Sequence, residues 1–63
     1  MTKEEIGTAL TENSIDENTL TKAMSVSGQG AGYYITESIG TDGKKSFSVD
    51  TEKLNNDARR FDA

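Results

Sequence analysis

The side chains that most often carry out catalysis are missing from this sequence of 63 residues, which contains neither His nor Cys. His is the usual general base near neutral pH, and the Cys thiolate is the strongest nucleophile among the side chains. The hydroxyls of Ser, Thr and Tyr and the carboxylates remain. We therefore predict that the protein is not an enzyme and uses no cofactor.

Two acidic clusters, KEE at residues 3–5 and IDEN at residues 15–18, contain the oxygen ligands that metal ions prefer. Both clusters also lie where a helix is expected to begin, and acidic side chains there interact favourably with the helix dipole. The segment TDGKK at residues 41–45 lacks the spacing and the terminal Glu of a calcium loop. We interpret all three segments as helix caps and turns, and we predict no metal site.

The second half of the chain holds the side chains best suited to binding a partner. Two lysines lie at or beside the tip of a predicted hairpin, two arginines lie on a predicted last helix, and an aromatic side chain is predicted on the polar face of the hairpin. An exposed Tyr near basic residues can anchor a protein interface or stack on bases. A solvated turn and helix face is the alternative interpretation. The predicted partner-binding residues are Tyr34, Thr36, Lys44, Lys45, Arg59 and Arg60.

The first part of the chain has two helix-start signals. Thr2 and Glu5 form a capping box, and an apolar stripe at helical spacing follows before Asn13, a plausible stop. Ser14 with Glu17 repeats the capping signature, with Asp16 as a rival cap. Residues 2–25 are therefore predicted to be helical. Whether these residues form one bent helix or two separate helices remains open, although the two successive caps favour a break.

Residues 26–32 contain alternating glycines among small side chains. They match neither the dinucleotide-binding glycine pattern after a strand nor the phosphate loop with its Lys and Ser or Thr. We predict a flexible connector without chemistry of its own.

The pattern of residues 33–50, YYITESIGTDGKKSFSVD, predicts two strands around a turn. A two-residue turn would divide the apolar side chains between both faces of the hairpin. A three-residue loop at 41–43, with Gly43 left-handed, instead sets Ile35 opposite Val49. One face then carries Tyr33, Ile35, Ile39, Phe47 and Val49. The other face is polar and carries Tyr34, Thr36, Ser38, Ser46, Ser48 and Asp50.

Glu37 is the exception on the apolar face. This register sets it opposite Phe47, where we expect it to pair with a Lys or Arg at the rim or to act as an inward-pointing charge against strand addition.

The pattern of residues 51–61 predicts a last helix, which begins at a cap provided by Asp50 or Thr51. Leu54, Ala58 and Phe61 recur at i, i+4 and i+7 and form its apolar face. Its opposite face is polar, with Lys53 and Asp57 at the spacing of an ion pair; the other polar residues of this face are Asn55, Asn56, Arg59 and Arg60.

These elements predict one small α+β domain over residues 1–63, with an N-terminal helix or helix pair, a two-stranded antiparallel hairpin over 33–49 and a C-terminal helix, in the order α(α)ββα. Because a lone hairpin is marginal in water, the helices before and after it are expected to cover its apolar face. Apolar residues make up only 32% of the chain. A thin core in so short a chain favours self-association or a partner.

Charge narrows the class of partner. The net charge is -4, with two Lys against five acids in residues 1–32 and five basic residues against six acids in residues 33–63. Nucleic-acid binders are usually basic, so duplex binding is disfavoured. No leader pattern and no membrane span is predicted, and we expect a cytoplasmic protein.

We predict a small interaction protein that binds another protein, as an inhibitor, adaptor or assembly factor, through the free hairpin edges and the polar face, or that associates with itself. Single-stranded nucleic-acid binding through the hairpin tip and the last helix is the alternative, and an acidic DNA mimic is the third candidate. In element order alone, without a shared motif, helix, hairpin and helix resemble the small head-tail joining proteins of tailed phages, which suggests a phage or mobile-element origin.

Overall fold

The computed structural model describes residues 1–63 and confirms the predicted order of elements. The elements are α1 (Lys3–Glu12), α2 (Glu17–Ser27), a 3₁₀ turn (Ala31–Tyr33), β1 (Ile35–Ile39), β2 (Lys45–Val49) and α3 (Thr51–Asp62). The protein is thus an α+β domain in which two helices precede an antiparallel hairpin and a third follows it. None of the three helices has the length and apolar character needed to cross a membrane.

The start of α1 follows from the predicted capping box. Thr2 Oγ1 accepts a hydrogen bond from the Glu5 backbone N–H at 3.1 Å, and Glu5 Oε1 accepts one from the Thr2 N–H at 2.9 Å. Two N–H groups that the first helical turn leaves unpaired are satisfied in this way. The helix buries Ala9 and Leu10 and is capped at Asn13, as its sequence predicts.

The helical region is interrupted between α1 and α2, which confirms the prediction that favoured two helices. Ser14 adopts a left-handed conformation with φ 55°, and the Ile15 N–H donates to the Leu10 carbonyl at 2.9 Å. This bond spans the helix end in the manner of a Schellman motif. Asp16 caps α2 by accepting from the Asn18 N–H at 2.9 Å, so the rival cap is the one used.

The segment after α2 is more structured than its composition predicts. The helix continues two residues beyond position 25 and ends where Gly28 takes the left-handed conformation with φ 71°. Within the predicted connector, Ala31 is buried and begins the 3₁₀ turn. A composition typical of a linker does not reveal this structure.

The hairpin has the predicted register. Ile35 pairs with Val49 and Glu37 with Phe47. The loop over residues 41–43 is closed by the Gly40 N–H donating to the Lys44 carbonyl at 2.8 Å, with Gly43 at φ 80°.

The helix that follows the hairpin packs differently from our prediction. Asp50 caps α3 by accepting from the Lys53 N–H at 3.0 Å. Instead of covering the sheet, α3 packs along α2, and the hairpin is contacted mainly by α1 at β2. Three residues of the predicted apolar faces are exposed: Tyr33 to 47%, Phe61 to 49% and Ile39 to 68%.

The core lies between α2 and α3 and extends to the base of the hairpin. Its buried apolar residues are Ala9, Leu10, Leu20, Ala23, Ala31, Tyr34, Ile35, Leu54 and Ala58. The tip of the hairpin is remote from this core, in a molecule that measures 43 × 20 × 19 Å.

Candidate protein-binding edge

Tyr34 is a buried core residue, and our prediction that it is exposed for partner binding is wrong. Its side chain is 1% exposed, and with Leu54 it is one of the two largest fully buried side chains. The 3₁₀ turn over Ala31–Tyr33 leaves Tyr34 with helical backbone angles, φ -108° and ψ -23°. Strand alternation therefore starts only at Ile35, and residue parity no longer determines where Tyr34 points.

The Tyr34 hydroxyl joins three elements in a polar network. Its oxygen lies 2.6 Å from Asp57 Oδ2 on α3, and 2.8 Å from Ser27 Oγ and 3.0 Å from the Ala23 carbonyl on α2. The single phenol proton is best donated to the charged Asp57 carboxylate, because that contact is the shortest. Burial, reinforced by the hydrogen bond to Asp57, raises the pKa of Tyr34 above its ordinary value of 10.0.

The sequence does carry a signal for this network, although the spacing from Lys53 led us to assign Asp57 to the polar face. Leu54, Asp57, Ala58 and Phe61 fall at i, i+3, i+4 and i+7, so the acid stands within the apolar stripe of α3. A buried carboxylate requires a hydrogen-bonding partner. The ion pair predicted between Lys53 and Asp57 is absent.

Of the basic residues near Asp57, Arg60 contacts the carboxylate and Lys53 has other partners. The Arg60 Nη1 lies 3.7 Å from Asp57 Oδ1, and Lys53 pairs with Asp50 at 4.0 Å. The Lys53 Nζ also lies 4.1 Å from the centre of the Tyr33 ring. Tyr33 was predicted on the apolar face of the hairpin; it lies outside the strand and is half exposed.

The outer edge of β1 has no strand partner. The ladder is bounded by hydrogen bonds from the Asp50 N–H to the Tyr34 carbonyl and from the Gly40 N–H to the Lys44 carbonyl, both 2.8 Å. Because hydrogen-bonded pairs alternate in an antiparallel ladder, every second residue of β1 points its N–H and C=O away from β2. We call these outward groups of Ile35, Glu37 and Ile39 the β1 edge. The sheet has two strands, so nothing pairs with this edge.

The outer edge of β2 is partly covered. The Asn13 side-chain amide, at the end of α1, donates to the Phe47 carbonyl at 3.4 Å. The same amide donates to the Ala9 carbonyl at 2.8 Å, which fixes its position on α1. Of the two edges of the hairpin, β1 is therefore the one open to another chain.

Lys45, a predicted partner-binding residue, lies in an ion-pair network. Its Nζ lies 2.9 Å from Glu5 Oε2 and 3.3 Å from Glu37 Oε1, which confirms the pairing expected for Glu37. The hydrogen bond from the Thr2 backbone, followed by that from Lys45, lowers the pKa of Glu5 to about 2. The hydrogen bonds to Glu5 and Glu37 raise the pKa of Lys45. Two carboxylates share one ammonium, so the network carries a net negative charge.

The remaining predicted residues are exposed but do not form one surface. Thr36 lies on the polar face of β1, opposite Ser48, and Lys44 precedes β2 at the hairpin tip. Arg59 and Arg60 lie near the end of α3, which packs against α2 rather than the hairpin. The structure brings Thr36 and Lys44 onto the hairpin and places the two arginines on a separate element.

Arg59 lines a shallow polar depression of about 440 Å³ on α3, whose other lining residues are Asp50, Glu52, Lys53 and Asn56. No cluster of three or more His, Cys, Asp or Glu side chains is arranged to hold a metal ion.

Comparisons with known proteins assign no function to this edge. The chain matches no protein-family model, and neither the search of curated proteins nor the search of solved structures found a match.

Proposed function

We propose that this chain is a non-enzymatic interaction module that binds an extended segment of another protein along the β1 edge. The role of an inhibitor, adaptor or assembly factor would follow from that capture. The observation that carries the proposal is an unpaired strand edge with exposed side chains from Thr36 to Ile39. Backbone pairing gives affinity in this mode of recognition, and alternate side chains give specificity.

The side chains of β1 indicate the chemistry of the partner. Ile39, at 68% exposed, offers an apolar contact, and the net negative charge around Glu37 favours a basic residue. The proposed partner is therefore an extended segment with a Lys or Arg next to apolar residues.

A second copy of this chain fits the edge less well. Antiparallel pairing of two β1 strands centred on Glu37 would place the two Glu37 carboxylates directly opposite each other. Like charges in that position are destabilising. Another protein is thus favoured over self-association at this edge.

A displayed library of short random peptides, selected against the full chain, tests the proposal and does not require the partner to be identified first. We expect enrichment of β-prone peptides that carry a basic residue between apolar ones. Their binding should shift the backbone amide NMR signals of β1. Failure to enrich such peptides would contradict the proposal.

Two substitutions of Glu37 separate the role of the backbone from that of the charge. In Glu37→Pro, the outward N–H is lost while the ladder to β2 is kept, since Pro is tolerated at an edge position that faces solvent. We expect this variant to bind the selected peptides about tenfold more weakly or worse. In Glu37→Gln, the N–H is kept, so binding should weaken less and become less sensitive to salt. Equal binding by wild type and Glu37→Pro would overturn the proposal.

The alternative function, single-stranded nucleic-acid binding, was predicted to use Tyr34 for stacking on bases. This side chain is buried and cannot stack on a base. Titration with a labelled single-stranded oligonucleotide at low salt provides the direct comparison. Binding that is lost on Arg59→Gln or Lys44→Gln, without any peptide binding, would support that alternative instead.

A further inference from the structure

A second surface lies away from the hairpin, between α1 and α2. An open groove of about 560 Å³ lies there between the two helices. Its apolar lining consists of Ile6, Leu10, Ile15, Leu20 and Met24. Three of these side chains, Ile6, Ile15 and Met24, are only partly buried, although they pack against the core. The groove therefore offers apolar contact area that this chain leaves incompletely covered.

The charges around the groove are mostly negative. Glu17 lines it, Glu4 and Glu12 lie on the adjoining surface of α1, and none of these three carboxylates is in an ion pair. Lys3 is the one basic residue in the lining. A ligand for this surface should therefore combine an apolar face with positive charge.

We propose that the groove between α1 and α2 binds a basic amphipathic helix of another protein. The ten residues of α1 form a wall about 15 Å long, which suits two to three turns of a bound helix. Helices in such grooves place apolar side chains at i, i+3 or i+4 and i+7 into the groove, with their charged residues at the rim. The proposal concerns a different surface from the β1 edge and does not depend on it.

A second copy of this chain lacks the required helix. Only α3 has more than one basic residue, but its three basic residues are balanced by three acids, and it already uses Leu54 and Ala58 in its own core. Pairing groove against groove would bring the unpaired carboxylates of two copies together. These two facts favour a different protein as the occupant.

The probe for this surface is a synthetic amphipathic helix of Leu and Lys, titrated into the full chain and followed by amide NMR. Two matched peptides serve as controls: a scrambled peptide of the same composition, and a peptide in which Glu replaces Lys. We expect the Leu and Lys helix to shift signals of α1 and α2 and both controls to bind about tenfold more weakly or worse.

A filled groove provides the decisive variant. Gly7 lines the groove, and a Cβ built at this position meets no atom within 4 Å. Gly7→Trp should block the groove without unfolding the chain, because Gly is itself unfavourable within a helix. Thr8→Trp places the same side chain on the same helix at a position that does not line the groove. Amide spectra establish that both variants are folded.

The proposal requires binding that Gly7→Trp reduces by about tenfold or more and Thr8→Trp does not. Equal binding of the scrambled peptide, equal binding by Gly7→Trp, or no binding at low salt would overturn it. A wild-type dimer in sedimentation that Gly7→Trp converts to a monomer would show that a second copy occupies the groove, which also overturns the proposal. The Glu37→Pro variant should bind this peptide like wild type, so the outcome is distinguishable from that at the β1 edge.

Discussion

The α2–α3 pair and the hairpin both carry apolar side chains, yet they bury them to different extents. In the helix pair, Leu20, Ala23, Leu54 and Ala58 are all buried, and the Tyr34 hydroxyl links the two helices. Of the five residues of β1 and the five of β2, only Ile35 is buried. The helix pair is therefore the part of the molecule that folds around a core, and the hairpin is a projection fixed mainly at its base.

Because most of the hairpin lies outside the core, its β1 edge is left uncovered. An exposed strand edge is usually shortened, charged or covered, because it can pair with other chains. Here β1 is short and carries Glu37, and Asn13 covers part of β2. These features limit non-specific pairing, which is consistent with the selective binding that we propose for the β1 edge.

The largest expected effect concerns the core of the helix pair. Leu54→Ala should lower the free energy of unfolding by about 2 to 5 kcal/mol, because it leaves a cavity where the side chain is fully buried. Ile39→Ala, at the exposed end of β1, should change it by less than about 0.5 kcal/mol. Urea denaturation followed by circular dichroism measures both. Similar losses for the two variants would remove the contrast between the two regions.

The next effect concerns the hydroxyl that links the hairpin base to the helix pair. Tyr34→Phe should lower the free energy of unfolding by about 1 to 3 kcal/mol, because Asp57 loses its hydrogen-bond donor inside the protein. Tyr33→Phe is the matched control, since that side chain is half exposed and should contribute little.

The pH dependence of the same hydroxyl sharpens this test. Since the folded pKa of Tyr34 lies above its ordinary value of 10.0, its contribution to stability is complete below pH 10.0 and is lost as the pH rises toward the folded pKa. Wild type should therefore lose more stability than Tyr34→Phe above pH 10.0. Parallel curves for the two proteins would contradict the assigned network.

The smallest effect concerns Glu5, which accepts from the Thr2 N–H at the start of α1 and from Lys45 of the hairpin. The pKa of Glu5 is lowered from its ordinary value of 4.5 to about 2. Its contribution to stability is therefore present above pH 4.5 and is lost as the pH falls through about 2. Glu5→Gln should reduce this loss of stability at low pH in thermal melts. An unchanged loss of stability at low pH in Glu5→Gln would contradict a stabilising role for the contacts of Glu5 with Thr2 and Lys45.

Local rules in the sequence were enough to predict several elements. Thr2 and Glu5 satisfy each other at the start of α1, and the parity of Ile35 and Val49 selects the loop length and the register of the hairpin. Both features depend on residues close together along the chain or on the period of a strand, so the sequence alone contains them.

Other features depend on which elements pack together. Parity assigns Ile39 to the apolar face, but the exposure of that side chain depends on α3 lying along α2 rather than over the sheet. The burial of Tyr34 likewise depends on the 3₁₀ turn over Ala31–Tyr33 and on Asp57, which is distant in sequence. Strand alternation, from which we predicted a partner-binding role for Tyr34, contains no information about this packing.

Amide hydrogen exchange in the free chain tests the central claim most directly, because it reports each N–H of β1 separately. We predict slow exchange for Thr36 and Ser38, whose N–H groups point toward β2, and rapid exchange for Glu37 and Ile39, whose N–H groups form the β1 edge. Equal protection of all four amides would show that the edge is already covered and would contradict the account.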